Sequence, residues 1–188
     1  VKDIPEQVAL FQAISAMQPT VLVAVDAVQV LSEQAGQVAT IVAPGGLTPT
    51  LDGTLTGSLA PGFDVNKGYL VMPVIRNFAD PRAIDTNTIT VILGNRALRN
   101  THAVQIASFA ANNGFKGVFI DYREVSLELR DSYSALITEL GGLLRQQGLS
   151  LGVVVPAAVN NNGTWDTGGY DWQALGTAAN YVQIDMAL

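Results

Sequence analysis

The chain has 188 residues, 48% hydrophobic and 14% charged, with a formal net charge of -6 and a pI near 4.5. That balance describes a folded globule of one domain and leaves no basic footprint for a phosphate backbone, so nucleic acid is excluded as an expected partner. With no cysteine and a single histidine, thiolate chemistry, disulfides and multi-histidine metal sites are excluded as well, and no run approaches the roughly 20 apolar residues of a membrane span.

In chain order, IPEQVALFQAISAM places Pro5 in a first helical turn and repeats Ile4, Val8, Phe11 and Ile14 at helical spacing. PTVLVAV reads as a first strand, DAVQVLSEQAG as a helix ending at Gly36, and QVATIVAPGG as a second strand. TLDGTLTG sets Asp52-Gly53 between threonine-rich arms, the signal of a tight hairpin. GYLVMPVIRNF is a near-continuous apolar run, as expected of a strand covered on both faces, and it ends in Arg76 and Asn77 at a functional rim. Helical segments around TITVILGN and RALRNTHAVQIASFAANNG lead to strand GVFIDY; His102 falls in the second of them and is assigned no role. LELRDSYSALITELGGLLRQQG then leads to strand LSLGVVVPA, and YDWQALGTAAN to strand YVQIDMA.

Six apolar strands separated by helices require parallel pairing through right-handed crossovers. No G-x-G-x-x-G or G-x-x-x-x-G-K-[ST] loop follows any of them, which favours a barrel over a nucleotide-binding sheet. The expected fold class is therefore α/β, a (β/α)8 TIM-barrel-like domain with about six βα units present, against eight strands and about 250 residues for a full barrel. The chain starts at Val1 without a methionine, so it is expected to be a piece of a longer polypeptide, and the lack of a leader then says little about secretion. A further carboxyl-terminal segment or a protein partner is expected to complete the barrel.

PAAVNNNGTWDTGGYDW, rich in Asn, Gly and Thr, reads as a loop at the barrel face where substrate-contacting loops sit. Its tryptophans are candidate sugar-stacking platforms. Trp172 is better explained as the anchor of a short helix, whereas for Trp165 stacking and simple loop cover are balanced.

GFKGVFIDYREVSLELRDSYSALITEL resembles the fourth strand and following helix of the glycoside hydrolase family 18 barrels, particularly the branch of spore-cortex and cell-wall hydrolases. LDGTLTG, GYLVMPVIRNF, ILGNRALRNTHAVQIASFAANNGFKG, GLSLGVVVPA and YDWQALGTAANYVQI resemble further segments of that branch in the same order, so the likeness spans most of the chain after about Gln37. The resemblance implies a strand-four signature D-x-x-D-x-D-x-E. Its Glu would protonate the glycosidic oxygen, and its last Asp would orient the substrate's own acetamido group as nucleophile, a route for which no metal or cofactor is expected.

On this chain the four signature positions are Lys116, Phe119, Asp121 and Arg123, so only the third acid remains. A guanidinium, with a pKa above about 12, cannot supply the proton. Two residues apart on a strand, Asp121 and Arg123 share a face, and pairing between them ranks ahead of a second role in which the planar fork of Arg123 contacts ligand carboxylates or hydroxyls. Glu124 replaces the lost acid only if the strand end bulges; regular pleating sends it to the helix side. The sixth strand ends IDMAL where the resemblance implies MxYD, so the tyrosine contact is not carried over.

The expected function is a catalytically degenerate glycan-binding or structural module, extracellular or in the cell envelope, with an amino-sugar glycan or cell-wall polymer as partner. Arg76, Asn77, Arg123, Trp165 and Tyr170 are its expected glycan contacts. One alternative is an active hydrolase of chitin or peptidoglycan working through Asp121 and Glu124; the other is a purely structural assembly subunit.

Overall fold

The computed structural model describes residues 20–25 and 31–186. The expected first helix, residues 4–17, and the first residues of the second, 26–30, lie outside the described residues. Eleven strands follow: β1 (Leu22–Val25), β2 (Ile41–Pro44), β3 (Leu47–Pro49), β4 (Leu55–Gly57), β5 (Leu70–Val71), β6 (Val74–Arg76), β7 (Gly117–Asp121), β8 (Ser150–Pro156), β9 (Val159–Asn161), β10 (Thr164–Asp166) and β11 (Tyr181–Asp185). Between them lie α1 (Glu33–Val38), α2 (Thr86–Gly94), α3 (Arg96–Asn112), α4 (Arg130–Gln146) and α5 (Trp172–Ala178).

The barrel's second and third strands are each split in two. Gly46, at φ 114°, kinks the chain between β2 and β3, and Pro73, which has no N–H to donate, separates β5 from β6. The run GYLVMPVIRNF is thus two short strands rather than one continuous one. Parallel pairing joins β1 to β2, β2 to β5, β3 to β6, β6 to β7, β7 to β8 and β8 to β11. Each barrel strand therefore neighbours its predecessor in sequence, and the order never reverses as it would in a doubly wound sheet. The result is a TIM-barrel-like arc of the six expected strands, with β1 and β11 as its outer members.

Alternation along these strands makes two cores. Inward residues Ile41, Ala43, Met72, Val74, Phe119 and Val154 fill the barrel, joined by Leu22, Leu70 and Tyr181. Outward residues such as Ile75, Val118, Ile120, Leu151 and Val153 pack under the helices against Ile89, Leu93, Ile106, Leu136, Ile137 and Leu140. Asn95 starts α3 by accepting from the Ala97 and Leu98 amides, and Asp171 starts α5 by accepting from those of Gln173 and Ala174. α3 ends at the expected turn, where Gly114 adopts φ 72°.

Two further segments depart from expectation. The second helix runs past Gly36 to Val38, started by the Ser32 hydroxyl accepting from the Ala35 amide. The presumed loop after β8 is partly an antiparallel hairpin, β9–β10, turning at Asn162 and Gly163 with φ 53° and 88°. The Asp52-Gly53 hairpin forms as expected between β3 and β4, with the Asp52 carboxylate accepting from the Thr54 amide and from both the Thr50 and Thr54 hydroxyls. Its tip is fastened to α3: His102 Nδ1 donates to the Gly53 carbonyl, 2.7 Å.

Candidate functional site

The carboxyl ends of β6, β7 and β11 carry Arg76, Asp121 and Asp185, with Arg76 in register with Asp121 and Asp185 with Pro156 of β8. All three positions have inward parity, so their side chains meet at the barrel mouth. Arg123, two residues past Asp121, reaches back over it: Nε donates to Asp121 Oδ1 at 3.1 Å and Nη2 to Oδ2 at 3.3 Å. The same Nη2 lies 3.0 Å from Asp185 Oδ2, and Arg76 Nε lies 3.5 Å from Asp121 Oδ2. Phe78 presents its ring to both cations, with guanidinium carbons 4.6 Å (Arg123) and 5.6 Å (Arg76) from its centroid.

Two cations thus bracket two carboxylates, which is how a carboxylate as buried as Asp121 is kept in a confined rim. Burial works against the Arg123 charge, but the Asp121 hydrogen bond and the fields of Asp121 and Asp185 outweigh it and hold its pKa above the ordinary arginine value. The group where the resemblance implies a proton donor is a cation paired to two carboxylates. The other altered positions are also accounted for. Phe119 points into the barrel and stacks on Tyr181 at 6.2 Å, while Lys116 is exposed ahead of β7.

The chain turns sharply after Arg123. Glu124 takes φ 55°, a left-handed conformation uncommon for a residue with a side chain. Regular pleating, the basis for sending Glu124 to the helix side, is thereby broken. Glu124 is exposed and borders the same cavity as Asp121, Arg123 and Asp185, a hollow of about 480 Å³ walled by Pro81, Ile84, Val154, Pro156 and Tyr170.

Two expected glycan contacts are placed otherwise. Asn77 is 1% exposed and spends its amide on backbone: Oδ1 accepts from Arg123 N (2.9 Å), and Nδ2 donates to Arg123 O (3.0 Å) and Asp85 O (3.2 Å). Tyr170 is 4% exposed; its hydroxyl donates to Tyr122 O (2.9 Å) and accepts from Val125 N over a longer 3.4 Å. Burial raises its pKa, so the hydroxyl keeps its proton. The tyrosine contributes a wall, with its polar end turned inward.

Nor do Arg76 and Trp165 face Arg123 across one cleft. Arg76 also lines a smaller hollow of about 190 Å³ with Gly46, Thr48 and Phe78, on the other side of the segment that carries Phe78 and Pro81. Trp165, 66% exposed on β10, lines an apolar hollow of about 510 Å³ with Trp172, Ile184 and Met186, touching the main cavity only at Ala157. Trp172 starts α5 as expected. A larger hollow, about 770 Å³, lies between α1 and residues 62–69, at the amino ends of β2 and β5 and so away from Asp121.

Sequence reasoning missed Asp185, whose only signal was its place at the end of the last parallel strand on the same parity as Tyr181. His102, read as a helix residue with no role, does lie in α3, fully buried between the hairpin and Tyr122. With Nδ1–H donated to Gly53 O, its Nε2 accepts from the Tyr122 hydroxyl.

No known family profile matches the sequence. Over 99 residues the chain is 30% identical to the protein of Bacillus subtilis (strain 168) named as a sporulation-specific glycosylase, YdhD, a stretch covering 53% of this chain and 23% of that one. A solved chitinase from Chromobacterium violaceum ATCC 12472 matches 90% of this chain with a TM-score of 0.72 and 25% identity, over 57% of its own length. The spore cortex-lytic enzyme SleL of Bacillus megaterium QM B1551 matches 88% with a TM-score of 0.74 and 18% identity, over 41% of its length. The chain thus spans about a quarter of the curated relative and about half of these solved structures.

Proposed function

Starting from the glycoside hydrolase family 18-like barrel fold that the chain has in common with these chitinases and spore-cortex enzymes, we propose that it is a glycan-binding module of the cell envelope or extracellular space that has lost hydrolysis. The observation that carries this reading is the guanidinium of Arg123, set between Asp121 and Asp185 at the position of the proton donor. A group that stays protonated at any working pH cannot give its proton to a leaving oxygen. The cavity beside it still offers what an amino sugar needs: carboxylate acceptors on Asp121, Glu124 and Asp185, a donor fork on Arg123, and apolar walls.

Chitotetraose and insoluble peptidoglycan are the probes. The purified chain is expected to be retained on peptidoglycan or to bind chitotetraose, and to release no reducing ends from either. Absence of binding to both would sink the reading. A purely structural subunit would have this rim filled by its own loops or by a neighbouring chain; its own loops leave the cavity open, so retention of glycan by the purified chain is what separates the two readings.

One observation favours a second reading. The left-handed turn at Glu124 brings a carboxylate to the same cavity, one residue past the donor position, and a hydrolase could draw its proton from there. Sugar release abolished by Glu124→Gln, with binding retained, would establish that hydrolase; no release from the wild type would dispose of it.

A further inference from the structure

The parallel ladder between β6 and β7 ends at the pair Arg76 and Asp121. Beyond it the two backbones diverge, and the Arg123 peptide unit, part-buried against the 1% exposed Asn77, would be left without a protein partner. Asn77 supplies the missing rung with its side chain. One primary amide meets both the N–H and the C=O of Arg123, at 2.9 Å and 3.0 Å, as the main chain of a neighbouring strand would. Its second N–H holds the Asp85 carbonyl at 3.2 Å, and the Asp85 amide in turn donates to the Asn77 carbonyl at 2.8 Å. The segment 78–85, which brings Phe78 under the guanidinium groups and Pro81 and Ile84 into the cavity wall, is thereby fastened to the same point.

We propose that Asn77 is the positioning residue of this site: its amide fixes the Arg123 peptide, and so seats the guanidinium between Asp121 and Asp185 and sets where the turn carries Glu124. Tyr170 assists from the other side, its hydroxyl donating to the carbonyl of Tyr122, the residue before Arg123. Three elements, the β6 end, the β7 end and the chain entering α5, then determine one short turn. Asn77 touches no ligand; it acts through Arg123 and Glu124. The consequence for glycan binding rests on the function proposed above, whereas the seating of Arg123 does not.

The test therefore has two readouts. In the wild type, the Arg123 backbone amide and its side-chain Nε–H should exchange slowly with solvent, read by NMR without ligand. Asn77→Ala should speed exchange at both by at least tenfold and weaken chitotetraose binding by at least tenfold. Tyr170→Phe, which keeps the ring in the core, should shift both readouts in the same direction by a smaller factor and guards against an Asn77 variant that does not fold. Ile137→Val, a core change in α4 remote from the mouth, should lower Tm while leaving both readouts as in the wild type. Unchanged Arg123 exchange in Asn77→Ala would overturn the proposal, as would a loss of binding in Ile137→Val equal to that in Asn77→Ala at matched Tm. A wild type that binds no glycan but shows tenfold faster Arg123 exchange in Asn77→Ala would overturn the functional reading and leave the positioning role supported.

Discussion

Asp121 and Arg123 were legible as a pair because a strand's period of two puts them on one face. What the sequence could not display is that Asp185, far along the chain, would meet the same guanidinium, since the approach of two strand ends is a property of the assembled arc. The roles of Asn77 and Tyr170 were hidden for a related reason: their partners are backbone groups, which leave no mark in a pattern of side chains. Arg123→Ala should cost about 1–3 kcal/mol in urea unfolding, because it strips Asp121 of its hydrogen-bonded cation while Arg76 remains within reach. His102 gives a pH signature. Burial lowers its pKa, against a smaller opposite pull from the Gly53 carbonyl, so the unfolded chain takes up a proton before the folded one does. Stability should be full above the unfolded value of about 6.5 and should fall as pH drops below it toward the lowered folded value. Thermal melts of His102→Gln should show a shallower decline between about pH 6.5 and 5, from a lower starting Tm; equal slopes in the two proteins would refute the assignment.

Among the elements, those with strong periodicity or turn chemistry were the readable ones: the six barrel strands, the long helices α3 and α4, and the Asp52-Gly53 hairpin. The β9–β10 hairpin went unread although Asn162-Gly163 is a turn signal of the same kind, because its arms are wholly exposed and, with one apolar residue each, Val159 and Trp165, lack the apolar alternation that marks a strand. The interruption at Pro73 was likewise visible as a residue and lost in the hydrophobicity of its flanks. Packing between β7 and β8 depends on a volume match that the signature comparison brings out. Phe119, standing where the resemblance implies an acid, lays its ring over Gly152, and a Cβ there would lie 2.2 Å from Phe119 Cε1. Gly152→Ala should therefore destabilise by about 1–3 kcal/mol, and a further Phe119→Leu should recover part of that loss, both read from denaturant midpoints. Additive losses in the double variant would show that the two positions do not share this space.

Among the described residues, the inner strands of the arc are well covered and its last strand is not. Outward residues of the inner strands, such as Val118, Ile120, Leu151 and Val153, are fully buried under helices, whereas Val182 and Ile184 on the outer side of β11 are 42% and 44% exposed, next to Trp165. β11 also pairs on one side only among the described residues. An apolar face beside an open strand edge invites association, so light scattering should show concentration-dependent self-association that Val182→Lys together with Ile184→Lys reduces, with no change in circular dichroism. A wild type that stays monodisperse at high concentration would contradict this.

The unreversed strand order also bears on how the chain acquires its shape. Because each of the six barrel strands docks on the barrel strand made before it, the polypeptide can assemble progressively as it leaves the ribosome, without waiting for distant residues to be synthesised.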